Sequence, residues 1–207
     1  MKMQNTSKWR WMLSTVVLVL SGCAATIIQP EEVIDPVPVY LLNQGGHNSL
    51  VLIADEDDVQ LLTVGELLWY VDGETGFGRS FYALFRDTPA ALGRTRLHGP
   101  VDPNCWVVQI GLGIRNAMVF SAPRERVDAL AGRINKAFDE VDPYYSHPLN
   151  LEYIVDPRPY TLGYNSNHRV VEWLESLDLE VRGNPTLGIL RPADPEHSVE
   201  VDPRDCP

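Results

Sequence analysis

An apolar run that stops after ten residues and ends on a cysteine decides how much of this chain is available to fold. Residues 11–20 follow a basic start carrying Lys2, Lys8 and Arg10, and they lead into Leu20-Ser21-Gly22-Cys23. A helix needs about 20 apolar residues to span a bilayer, so this run is too short to cross. A basic head, a short apolar centre and small residues before a cut are the parts of a secretory signal. Removing residues 1–22 from the 207 leaves 185, which suits one domain with a sizeable core. Five tryptophans and 44% apolar residues argue against a disordered chain.

The Leu20-Ser21-Gly22-Cys23 segment resembles the bacterial lipobox. That resemblance implies a signal peptide over residues 1–22 and a lipoprotein whose Cys23 carries acyl chains such as palmitate. Ala24 follows where inner-membrane-retained lipoproteins of enterobacteria carry aspartate. The expected place is therefore the cell envelope, on the periplasmic face of the outer membrane. Losing Lys2, Lys8 and Arg10 from a chain of net charge −11 leaves −14. Such a surface repels nucleic acid, so no nucleic-acid partner is expected, and membrane attachment falls to the lipid rather than to a basic patch. Cys105 and Cys206 either form a disulfide in an oxidising compartment or remain thiols.

The rest divides by composition. Residues 23–38 hold three prolines and three acids and read as a tether. Residues 39–191 read as a single domain, and 192–207, rich in Pro and Asp, as a C-terminal arm. Within the domain, 39–42 and 47–53 around Asn43-Gln44-Gly45-Gly46 read as a hairpin. Residues 63–70, 80–85 and 88–92 read as short helical pieces, and 106–110 and 117–120 as strands. The clearest helix covers 123–141, where Val127, Leu130, Ile134, Phe138 and Val141 recur at intervals of three and four. Residues 144–164 read as a long ordered aromatic loop, and a helix with Val170, Trp173, Leu174 and Leu177 on one side follows Ser166. The sum is an α+β domain, a small, mainly antiparallel sheet flanked by helices.

Three local features can carry chemistry: Gly45-Gly46-His47, Glu74-Thr75-Gly76-Phe77-Gly78, and Asn165-Ser166-Asn167-His168 at a helix start. Backbone N–H groups at a helix N-terminus stabilise developing negative charge. A serine there needs a histidine to take its proton, and His47 and Ser166 would have to meet across 119 residues. Serine is equally a favoured helix cap, and His47 can simply be hydrogen-bonded at a strand start. The glycines at 73, 76 and 78 match neither nucleotide-binding fingerprint.

Those three motifs resemble an uncharacterised bacterial family of lipoprotein and membrane-linked sequences, some encoded in urease gene regions, across most of residues 38–188. Its order, histidine first and cysteine later, is similar to circularly permuted papain-like hydrolases (NlpC-related). The resemblance implies a permuted papain-like fold, with His47 at the general-base position, Ser166 in place of the family's cysteine, and Glu74 as the conserved acid. Asn165 would help to stabilise an oxyanion. The serine departs from the pattern. A thiol titrates near 8.5, so a helix terminus and a histidine can yield a thiolate, whereas a hydroxyl demands concerted proton removal.

Other chemistries thin out. There is no His-Glu-x-x-His motif and no close cysteine pair, so a metal would need distant ligands among His47, His98, His147 and His168. The only lysine after residue 22 is Lys136, which argues against a Ser-Lys hydrolase. No cofactor is expected. Two functions remain: a non-catalytic binding or scaffolding module on a hydrolase-like fold, or a serine-variant hydrolase or acyltransferase acting on an envelope amide or ester. Peptidoglycan, lipid or an envelope protein is the expected partner.

Overall fold

The computed structural model describes residues 24–55, 58–72, 88–110, 113–147 and 149–207. Eleven strands among them make a mixed α+β domain. β1 (Ala24–Ile28) lies between β9 (Glu180–Gly183) and β10 (Ile189–Pro192), antiparallel to the first and parallel to the second. The larger sheet has eight strands in the order β11-β6-β2-β3-β4-β5-β8-β7, every neighbour antiparallel. Its members are β2 (Pro36–Asn43), β3 (Asn48–Asp55), β4 (Asp58–Glu66), β5 (Thr88–Leu97), β6 (Asn116–Pro123), β7 (Tyr144–Ser146), β8 (Leu151–Tyr160) and β11 (Ser198–Glu200). The helices are α1 (Leu67–Asp72), α2 (Pro103–Trp106), α3 (Arg124–Asp139) and α4 (Ser166–Ser176).

Burial on both faces explains why the central strands lack a period of two. α3 buries Val127, Leu130, Ile134 and Phe138 against one face, and α4 adds Val170, Trp173 and Leu174. The opposite face closes over Trp106 with Val51, Val59, Leu61 and Leu97. Leu50, Val51 and Leu52 are consequently all buried in sequence, as strands covered on two sides must be.

The β2–β3 hairpin and α3 follow the expected pattern. Several other segments differ. Of the 63–70 stretch expected as helix, residues 63–66 finish β4 and 67–70 begin α1, and 88–92 is the start of β5. Thr88-Pro89 imitates a capped helix start, but Pro89 lies at the head of a strand, opposite Pro159. Neither proline can donate to the ladder, and the register shifts there. Residues 106–110, expected as a strand, instead hold the last residue of the short helix α2 and the turn after it, and the helix start is capped by Asp102 accepting from the Asn104 N–H. Residues 144–164, expected as a loop, contain the whole of β7 and β8.

Both presumed flexible ends are built into the body. Residues 23–38 were expected to form a tether, yet Ala25 and Ile27 are fully buried, and the Gln29 side chain accepts from the Ser121 N–H at 2.7 Å. Residues 192–207 were expected as an arm. They pair through β11 with β6, and Cys206 forms a disulfide with Cys105, Cα to Cα 4.9 Å. Truncating Ile27 to alanine is expected to destabilise the chain by about 2–5 kcal/mol, as for a core aliphatic, measured by denaturant unfolding. A tether residue would leave the midpoint unchanged.

Candidate functional site

The ends of β4 and β8, the start of β3 and the N-terminus of α4 converge at one end of the large sheet. The 44–47 loop turns there because Gly45 and Gly46 hold φ of +86° and +95°, a region that suits glycine. The Gln44 N–H donates to the His47 carbonyl at 2.8 Å and closes the turn. Side chains then join this loop to the helix start. Asn48 Nδ2 donates to Asn167 Oδ1 at 2.9 Å and to the Gly188 carbonyl at 3.0 Å, while Asn167 Nδ2 donates to the Gly46 carbonyl at 3.0 Å. Two acceptors for one NH2 group fix the orientation of the Asn48 amide. Asn48 and Asn167 are 0% and 3% exposed, so these bonds lie in a low-dielectric interior where a lost partner is costly.

His47 and Ser166 each face other partners. His47 Nε2 lies 2.8 Å from Thr63 Oγ1, and its ring tilts against Trp69 with centroids 5.9 Å apart. Some of the residue's surface remains open, but burial among packed groups pushes its pKa down to about 4, so the imidazole is neutral near pH 7. Ser166 is the first residue of α4 and 1% exposed; its Oγ lies 3.5 Å from the Tyr160 hydroxyl. Burial raises the Tyr160 pKa; the Ser166 hydrogen bond opposes that rise and the charge of Glu66 adds to it. Among the hydrogen bonds of the described residues, none joins Ser166 to His47.

Asn165, and not Ser166, caps α4. Its Oδ1 accepts from the Asn167 N–H at 3.0 Å, and its Nδ2 donates to the Thr186 carbonyl at 3.0 Å. His168 completes the cap, with Nδ1 3.3 Å from the Asn165 N–H. Desolvation lowers the His168 pKa, against an opposing pull from Glu172. Glu74 lies outside the described residues. Behind the cap, Arg169 pairs with the buried carboxylate of Asp156 at 2.6 Å, and Arg158 takes both oxygens of Glu172 at 2.9 and 3.0 Å. These pairs clamp α4 to the end of β8.

The 44–47 loop and the start of α4 thus lie together, while the His47 and Ser166 side chains bond to Thr63 and Tyr160. Asn48, Thr63, Glu66, Tyr160 and the 184–188 loop were missed. Asn48 follows His47 directly and Asn167 lies inside Asn165-Ser166-Asn167-His168, so adjacency was the available signal. A cleft of about 730 Å³ lies elsewhere, lined in part by Arg94, Arg96, Val108, Gln109, Tyr145 and Asn150, and by none of the residues above. Among the described residues no group of three or more His, Cys, Asp or Glu could hold a metal ion. Comparison of the chain with protein-family models, with curated proteins and with solved structures gives no match in any of the three.

The histidine generates a pH dependence of known sign. The unfolded chain binds a proton at His47 below about pH 6.5 while the folded chain resists until about 4. Stability is therefore expected to fall as pH drops from 6.5 to 4, by up to about 3 kcal/mol at roughly 1.4 kcal/mol per unit. Denaturant titrations across that window should give a flatter profile for His47→Asn. An unchanged slope would contradict the burial of a neutral imidazole.

Proposed function

We propose that this chain is a lipid-anchored cell-envelope module that uses a permuted papain-like arrangement for binding or scaffolding and not for hydrolysis. One observation carries the non-catalytic half of this reading. The Ser166 hydroxyl is sealed beneath its neighbours beside a phenol, while the neutral imidazole of His47 is engaged with a threonine. A serine nucleophile needs a base within about 2.6–3.2 Å of its hydroxyl, or via one water, and a path for substrate. The chemistry of the helix start is also spent on structure, since the Asn165 amide caps α4 and holds the 184–188 loop.

The envelope half rests on Leu20-Ser21-Gly22-Cys23 and on the acidic body, which would not adhere to anionic lipid by charge. For a partner, the cleft offers a mixed surface. Tyr145 and Val108 line it and are 50% and 82% exposed, and Arg94 and Arg96 add positive charge within an acidic protein. Exposed aromatic and aliphatic groups beside arginines are the composition of recognition surfaces. A peptidoglycan fragment, a lipid headgroup or a segment of an envelope protein would suit it.

Treatment of the purified chain with a fluorophosphonate probe tests the reading. No labelling dependent on Ser166 is expected at neutral pH. Labelling that disappears in Ser166→Ala would overturn the non-catalytic assignment and restore a serine hydrolase or acyltransferase.

A further inference from the structure

β1 begins one residue after Cys23, so whatever Cys23 carries leaves the body with no spacer. Consecutive Cα atoms are about 3.8 Å apart across a trans peptide bond. Ala24 pairs with Ile189 on one side, Ala25 pairs with Gly183 on the other, and the Ala24 carbonyl accepts from the Asn184 N–H at 3.2 Å. The approach at Gly183 is close enough to require glycine. A Cβ there would sit 2.3 Å from the Ala24 oxygen, and φ is +113°. The strand's first residue is thus pinned from two directions.

The same loop is fastened at its other end to the candidate site. Gly188 has φ +69°, and an added Cβ would lie 2.2 Å from the Gly46 oxygen. Its carbonyl accepts from Asn48, and the Thr186 carbonyl accepts from Asn165. One short loop therefore connects the exit point of residue 23 to the histidine loop and the start of α4.

The surface there differs from the rest of an acidic protein. Residues 183–190 contain no Asp, Glu, Lys or Arg, and neither do 43–48 or 160–167. Leu187 and Ile189 are 41% and 37% exposed in this region. The exposed Arg115 guanidinium lies against Gly45, within 2.8 Å of where a Cβ would be. The opposite end of the sheet is charged instead, with Asp35 paired to Arg124 at 3.1 Å and Asp55 opposite Asp58.

We propose that this edge, made by the uncharged 184–189 and 44–47 loops and by Arg115, lies flat against a phospholipid bilayer when Cys23 is acylated. Leu187 and Ile189 enter the interfacial layer, and Arg115 meets lipid phosphate. The inference rests on the anchor reading above. It replaces a module swinging on a tether with one held at a fixed orientation, the histidine loop towards the lipid. Apolar side chains beside a positive group at an acyl anchor are a second membrane signal of the kind a lipid anchor needs for stable attachment.

The test uses the full chain extracted from membranes, its mass recorded, and reconstituted in phosphatidylcholine vesicles. With Cys23 acylated and Cys105 bonded to Cys206, a cysteine introduced by Leu187→Cys is the single free thiol. It takes a polarity-sensitive fluorophore. The control is Ile34→Cys, whose native side chain is 86% exposed beside Asp35 at the far end. On vesicles the label at 187 should shift to the blue and lose several-fold in acrylamide quenching relative to the label at 34. A quencher buried in the lipid should reach only the label at 187. Equal acrylamide quenching at both positions in a chain whose mass shows acylation overturns the docking face alone. A mass retaining residues 1–22, or Cys23 unmodified, overturns the anchor reading and this inference with it.

Discussion

Two asparagine side chains hold together parts of this chain that are 119 residues apart. The bond from Asn48 to Asn167 joins the first residue of β3 to the first turn of α4. The second bond of each amide then recruits Gly188 and Gly46. The loop before β3, the helix and the loop before β10 are thereby fixed to one another at a single place. A buried amide without partners costs about 1–3 kcal/mol, so the network is stable only when all three segments are present. Loop closure over such separations is entropically unfavourable, and these buried hydrogen bonds offset it while specifying one arrangement, with Asn48 Oδ1 alone left without a hydrogen-bond partner among them.

That constraint shapes what the neighbouring groups can do. Asn165 and His168 are occupied in capping the helix, and Ser166 is carried inward by the first turn to meet Tyr160. The imidazole of His47 turns to Thr63 on the adjacent strand. The helix dipole remains, but the groups that would exploit it for nucleophilic chemistry are directed elsewhere. The exposed surfaces beyond this end of the sheet include the cleft lined by Arg94, Arg96, Val108 and Tyr145 and the edge holding Leu187 and Ile189.

Much of the helical part was legible because it obeys one period. The apolar residues of α3 keep spacings of three and four, and Asp142-Pro143 ends the pattern. The hairpin from β2 to β3 was legible from its two glycines between apolar runs. β4, β5 and β8 were not, for a physical reason. β4 is covered on both faces and buries Gln60 and Thr63, while β5 holds a half-buried Arg94 and β8 a buried Asp156, so neither alternation nor a continuous apolar run marks them. β1 was hidden by the prolines and acids that follow it, although Ala25 and Ile27 alternate as a strand should. At the candidate site the meeting of the 47 and 166 regions was readable from the motifs. Which atoms meet was not, because an asparagine that fastens two segments looks the same in sequence as one that assists catalysis.

The polar residues at the start of α4 hold the fold together. A double-mutant cycle on Asn48 and Asn167, with each replaced by alanine singly and together, measures this directly by denaturant unfolding. The two substitutions are expected to be strongly non-additive, with a coupling of about 0.5–3 kcal/mol. Losses that add to within about 0.3–0.5 kcal/mol, the behaviour of independent sites, would contradict it.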